Sequence, residues 1–238
     1  MCRSRIFLLF ILLCLGLSAC SFKAKPAPSA GFVSEEQLLE DERFPFHKAW
    51  MAEGFSWDNY STIYIAPVNT RYLLEMDWIK EIGKGQIPEK DIPFVAETAR
   101  QAFKMAFAQD RDHKYLVVEE AQSNSIILEL ALVEIIPNRA FLDTLSYGVP
   151  YAGGLLRMGA KSRVAFEARL RDGRTNEVVA AFADREQEKA SLVNLKNLAW
   201  YWQAQAIIEE WARQFVDIAN AGEGETVKDS SFFELAPW

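Results

Sequence analysis

The sequence is poor in the residues that carry most protein chemistry. Among 238 residues there are 3 cysteines and 2 histidines. A thiolate nucleophile, a disulfide framework or an imidazole-rich metal centre therefore has little to be built from. Excess positive charge is missing as well: 26 Lys and Arg stand against 33 Asp and Glu, a net charge of −7. That balance opposes non-specific adhesion to nucleic acid. The apolar run near the start, Ile6 to Leu17, is shorter than the roughly 20 residues a membrane-spanning helix needs. What the chain does have is core material. Hydrophobic residues make up 50%, aromatics 13% and charged residues 25%, enough for one sizeable domain and incompatible with wholesale disorder.

The N-terminus sets the expected location. Arg3 and Arg5 precede the apolar run, which exits into Leu17-Ser18-Ala19-Cys20, the layout of a secretory signal. Leu-Ser-Ala-Cys resembles the lipobox of bacterial lipoproteins. The resemblance implies a signal peptide over residues 1–19, cleavage after Ala19, and Cys20 carrying lipid, with the bilayer as the first partner. Ser21 rather than Asp follows the cysteine, which by the same resemblance implies the outer membrane, facing the periplasm. Processing would remove Arg3 and Arg5, leaving 24 basic against 33 acidic residues, a charge of −9. Cys2 and Cys14 would leave too, and Cys20 would be acylated, so no free thiol or disulfide is expected. No metal site, cofactor or catalytic residue is predicted.

Four regions follow from composition. Residues 20–34, with Pro26 and Pro28 among small and polar neighbours, read as the lipidated cysteine and a flexible tether. Residues 35–220 read as a single α+β periplasmic domain, and residues 221–238 as a loose tail. Within the domain, β-branched and alternating stretches predict strands over 61–68, 114–119, 125–136, 161–171 and 177–186. The last two are joined by the turn-forming Asp172-Gly173-Arg174-Thr175-Asn176. Helical spacing of Val95, Ala99, Ala102, Phe103, Ala106 and Phe107 predicts a helix from about Asp91 to Gln109. A second, long helix is expected from Leu192 to about Asn220. The predicted fold is one twisted, mainly antiparallel sheet of four to five strands flanked by helices. Alternation puts Glu129 and Glu134 on opposite faces of their strand.

The lipobox, the Ser61–Val68 strand, the Ala- and Phe-spaced helix, the long apolar strand and the final Glu-Glu-Trp-Ala-Arg helix occur here in one order. That order resembles a proteobacterial outer-membrane lipoprotein family classified only as a domain of unknown function. The resemblance covers about residues 31–220 and implies no activity.

Sharper chemistries mostly fail on spacing. Gly154-Leu-Leu-Arg-Met-Gly159-Ala160-Lys161-Ser162 nearly forms a phosphate-binding loop. Ala160 displaces the lysine, however, and a strand follows where a helix is needed, so no nucleotide is expected. His47 lies in an aromatic stretch and His113 in a polar turn, and neither begins a zinc-binding pattern. The expected function is a non-enzymatic module that binds or scaffolds an envelope protein. Its candidate surface comprises Phe44, Phe46, Trp50, Gly153, Gly154 and Trp200, the core being the competing place for the aromatics. The alternative is a peptidoglycan- or glycan-directed hydrolase using a carboxylate pair drawn from Glu129, Glu134 and Glu167. An export pore of hairpins is disfavoured, because only Ser125–Ile136 has the apolar length for it.

Overall fold

The nearly continuous apolar run Ser125–Ile136 forms a twelve-residue strand inside the sheet, as its sequence leads one to expect of a strand covered on both faces. The computed structural model describes residues 24–82, 87–137, 162–187, 200–222 and 224–229. In chain order it contains β1 (Lys48–Met51), a 3-10 turn at Trp57–Asn59, β2 (Thr62–Ile65), and the short helices α1 (Arg71–Leu74) and α2 (Asp77–Ile82). The long helix α3 (Ile87–Ala108) follows, then β3 (Leu116–Val118), β4 (Ser125–Ile136), β5 (Arg163–Asp172), β6 (Val178–Gln187) and α4 (Trp202–Asn220).

One sheet of six strands runs in the order β1-β6-β5-β4-β2-β3. The β4, β5, β6 and β1 neighbours are antiparallel, while β2 is parallel to both β3 and β4. The α+β class and the single sheet agree with expectation; the strand count and the parallel edge refine it. The extra strand is β1, whose Lys-Ala-Trp-Met has no β-branched residue to announce it. The parallel edge follows from α3, a crossover that returns the chain to the same end of the sheet before β3.

Both long helices cover one face. On α3, Ile92, Val95, Ala99, Phe103 and Phe107 are buried at helical spacing. On α4, Ile208, Trp211, Phe215 and Ala219 are buried. They meet Ile63, Leu128, Leu130, Phe166, Leu170 and Phe182 from the strands in one cluster. Ring contacts knit it together: Phe166 to Trp211 at 4.5 Å, Phe182 to Phe215 at 5.3 Å and Phe103 to Phe215 at 5.5 Å between centroids. Fully burying one such ring contributes about 1.5–3 kcal/mol. Helix α3 starts ahead of its expected cap, so Pro93 lies inside it and gives up one backbone hydrogen bond.

A bulge in β4 changes which side chains share a face. Leu132 pairs with Phe166 but Glu134 pairs with Ala165, so two residues of β4 oppose one of β5 at this point. Side-chain alternation shifts by one. Glu134 therefore joins Glu129 and Glu167 on the face away from the helices, which corrects the opposite-face expectation.

Candidate functional site

The face opposite the helices carries an ordered set of charges. Glu129 accepts from Arg169 Nε and, at 2.9 Å, from Arg171 Nε. Glu134 accepts from Arg185 Nε and Nη2 at 2.8 and 2.5 Å, and Arg163 Nε stands 4.0 Å from it. Register explains the pairing: Glu129 faces Arg169 across β4 and β5, and Ala165, opposite Glu134, is opposite Arg185 on β6. Burial pushes the Glu129 carboxyl up, but hydrogen bonds and charge from Arg169 and Arg171 outweigh it and hold the group below its ordinary value.

The third carboxylate is used differently. Glu167 is 3% exposed and its two oxygens accept backbone N–H groups from Ala30, Phe32 and Val33 at 2.5, 2.7 and 3.0 Å. These amides belong to the segment expected as a tether. From Ala24 onward that segment lies across the second face as a strap. Arg169 supports it twice, through Nη1 to the Phe32 carbonyl at 3.2 Å and with its guanidinium 4.4 Å from the Phe32 ring centre. Val33 and Leu38 pack with Ala181, flanked by Phe32, Trp50 and Ala183. Leu39 then pairs with Ala49 on the outer edge of β1.

His47 clamps the start of the strap. Its Nε2 lies 2.6 Å from the Ala24 carbonyl and its Nδ1 2.5 Å from Asp184 Oδ1. The other Asp184 oxygen accepts Trp211 Nε1–H at 2.9 Å, which ties the clamp directly to α4. Arg185 Nη1 adds a bond to the Lys25 carbonyl at 3.3 Å. A cavity of about 20 Å³ remains between Pro26, Pro28, His47, Glu167 and Asp184, room for about one water molecule. Sequence reasoning missed this machinery because its parts are about 135 residues apart in the chain. A buried Glu in β5 with no facing Arg was the available signal.

The predicted surface residues are dispersed. Phe46 is 4% exposed and meets Phe166, Phe182 and Phe215, and Trp200 is 3% exposed with Nε1 donating to Asp91 at 3.0 Å. Neither is a surface a partner can reach, because each ring is held in the helix-side core; this corrects their place among the surface candidates. Phe44 is half-buried against Phe182, and Trp50 is half-buried beside the strap. Ala19, Cys20, Gly153 and Gly154 lie outside the described residues.

An open cleft offers a more accessible surface. It measures about 900 Å³ and lies along the C-terminal parts of α3 and α4, with residues 225–228 forming one wall. Asn220 Nδ2 donates to Asp110 Oδ1 at 3.0 Å across it. Three buried oxygens of its lining residues, Asp110 Oδ2, Gln214 Oε1 and Asn220 Oδ1, have no hydrogen-bond partner among the described residues. Partial burial raises the Asp217 carboxyl above its ordinary value; Arg213 opposes this, and the Asp110 charge adds to it. The surface that the cleft presents is charged, with exposed Asp112, Asp217 and Glu225 beside exposed Arg111, Arg213 and Lys228. No group of three or more His, Cys, Asp or Glu among the described residues is arranged to hold a metal ion. No helix among them is long and apolar enough to cross a membrane.

Solved structures similar to this chain include the PelC dodecamer from Paraburkholderia phytofirmans, with 7% identity over 73% of this chain and 96% of that one, at a TM-score of 0.42. Protein XCC0632 from Xanthomonas campestris, of the DUF330 family, is 13% identical over 71% and 92% of the two chains, with a TM-score of 0.41. Lipoprotein GNA1162 from Neisseria meningitidis is 12% identical over 68% and 99%, with a TM-score of 0.33. No curated protein sequence matches the chain. The family resemblance read from the order of its segments is matched along residues 28–215: the chain belongs to the family described as protein of unknown function, DUF3313.

Proposed function

We propose that the protein is a lipoprotein held on the outer membrane through acylated Cys20, facing the periplasm, and that it is a non-enzymatic module that binds or scaffolds an envelope protein. One observation carries this reading: the carboxylates that would serve a hydrolase are spent on structure. A glycan-cleaving pair needs one carboxyl kept protonated near neutral pH and a second free to attack or to activate water. Glu129 is instead held below its ordinary value by two arginines. Glu134 is bonded twice by Arg185. Glu167 is filled by three backbone amides. The cleft between the ends of α3 and α4 supplies the binding surface, its exposed carboxylates and cations suited to complementary charge on a protein partner.

Photo-crosslinking residues at Asp112 and Arg213, both exposed at the cleft, test this in intact cells. A reproducible envelope protein recovered by mass spectrometry from either position supports the reading. Release of muropeptides from sacculi by the purified protein would transfer it to the hydrolase alternative. Anchoring is tested separately by globomycin, which should block processing of the wild-type precursor and leave Cys20→Ala unprocessed without it.

A further inference from the structure

We infer that the strap fixes how the domain stands on the bilayer. The end of the sheet at Glu134 and Arg185 is held against the lipid surface, and the β5–β6 hairpin and the open cleft face away from it. The inference rests on the lipidation of Cys20 proposed above and adds to it an orientation and a distance.

The sequence alone gives a tether of residues 20–34, long enough when extended to let a domain wander about 50 Å from its anchor. The structure removes nearly all of that freedom. Ala24 is already 8% exposed and its carbonyl is held by His47, the Lys25 carbonyl by Arg185, and the amides of residues 30, 32 and 33 by Glu167. Only residues 21–23 separate Cys20 from the docked strap. Four Cα steps span at most about 14 Å, so the domain stays next to the membrane surface.

Which end faces the membrane follows from the register. The strap begins beside His47 and Arg185, and Arg185 reaches Glu134 near the C-terminal end of β4. It runs from there past Glu167 toward Arg169, in the direction of the hairpin at residues 172–177. The hairpin lies at the N-terminal end of β4, where Gly173 N–H donates to the Ser125 carbonyl. The cleft reaches the same end. Lys114 and Tyr115, just before β3, bond the Ala219 carbonyl of α4, and β3 pairs through β2 to Ser125. Anchor and cleft are therefore at opposite ends of the strands, and a partner in the cleft is met from the periplasmic side.

The acylated mature chain has no other cysteine, so single thiols can be introduced cleanly. Lys48→Cys sits level with Glu167 through the β1–β6–β5 register, and Arg174→Cys sits at the hairpin. The two are separated by roughly 17 Å along five strand residues at about 3.3 Å each. The full lipidated chain, labelled at either thiol, is placed in phosphatidylethanolamine–phosphatidylglycerol vesicles carrying a headgroup quencher. Quenching several-fold stronger at position 48 than at 174 is expected. Inserting a ten-residue Gly/Ser spacer between Ser21 and Phe22 leaves the fold untouched and should bring the two signals close together. Equal quenching in the unspaced chain, with the protein co-floating with vesicles, would overturn the orientation and leave the anchor standing. A chain that fails to float, with no acyl mass on Cys20, would overturn the anchor itself.

Discussion

At the residue scale, the hairpin between β5 and β6 shows how closely local chemistry is specified. A Cβ built on Gly173 would lie 2.1 Å from the Gln122 carbonyl oxygen and 2.7 Å from that of Ser125, so only glycine fits the approach of these two backbones. Gly173→Ala should lower stability by about 1–3 kcal/mol, read as a fall in the urea midpoint at unchanged m. Beside it, Asp172 takes the N–H groups of Arg174 and Thr175 at 2.8 and 2.7 Å and the Tyr60 hydroxyl at 2.9 Å. Asn176 closes the turn at φ 60°, a conformation Asn tolerates.

Burial first, and then the Asp172 hydrogen bond, push Tyr60 up from 10.0 to about 12. A raised value means that the fold favours the protonated phenol. Its contribution is complete below pH 10 and is lost as pH rises through about 12. Tyr60→Phe should cost about 1 kcal/mol at neutral pH and flatten the alkaline loss of stability in the pH 10–12 window. Glu129 works in the other direction. Its lowered value means that the charged form stabilises the fold above the ordinary 4.5, and the gain disappears as pH falls through the folded value. Glu129→Gln should lower the melting temperature at pH 7 and shrink the difference from wild type at pH 3.

At the element scale, patterning was legible in the three long strands, β4, β5 and β6. The bounds of β4 match the sequence expectation, and β5 and β6 match within two residues, because apolar alternation and the Asp-Gly turn act locally. Three things escaped. The bulge in β4 is set by Leu132 and Glu134 pairing with consecutive β5 residues, a relation between strands that no single-strand pattern contains. Strand β1 is four residues of ordinary composition, recruited by β6 and by Leu39. The strap looks like a linker because prolines and small residues give it no periodicity. It is ordered by a carboxylate about 135 residues away. Glu167→Gln keeps the shape and removes the charge, so the three amides lose charge-assisted bonds worth about 1.5–3 kcal/mol each before compensation. Limited proteolysis with chymotrypsin should then cut after Phe32 faster than in wild type, while the helix-side core melts as one unit.

At the scale of the whole molecule, the helix-covered face holds the large apolar cluster, and the other face holds the N-terminal strap. His47 and Asp184 link the two, since the carboxylate that meets the imidazole also accepts from buried Trp211. The predicted aromatic surface was legible as aromatic and not as surface, because Phe46 and Trp200 reach the core from non-consecutive segments. The cleft was invisible in sequence, being made by the ends of two helices and a returning tail.

The docked strap is central to both the proposed anchoring geometry and the role of the carboxylates, and amide hydrogen exchange tests it most directly. The N–H groups of Ala30, Phe32 and Val33 should exchange far more slowly than unstructured amides in the wild type and approach unstructured rates in Glu167→Gln. Exchange at unstructured rates at these three positions in the wild-type chain, with the β4–β5 amides protected, would contradict the account.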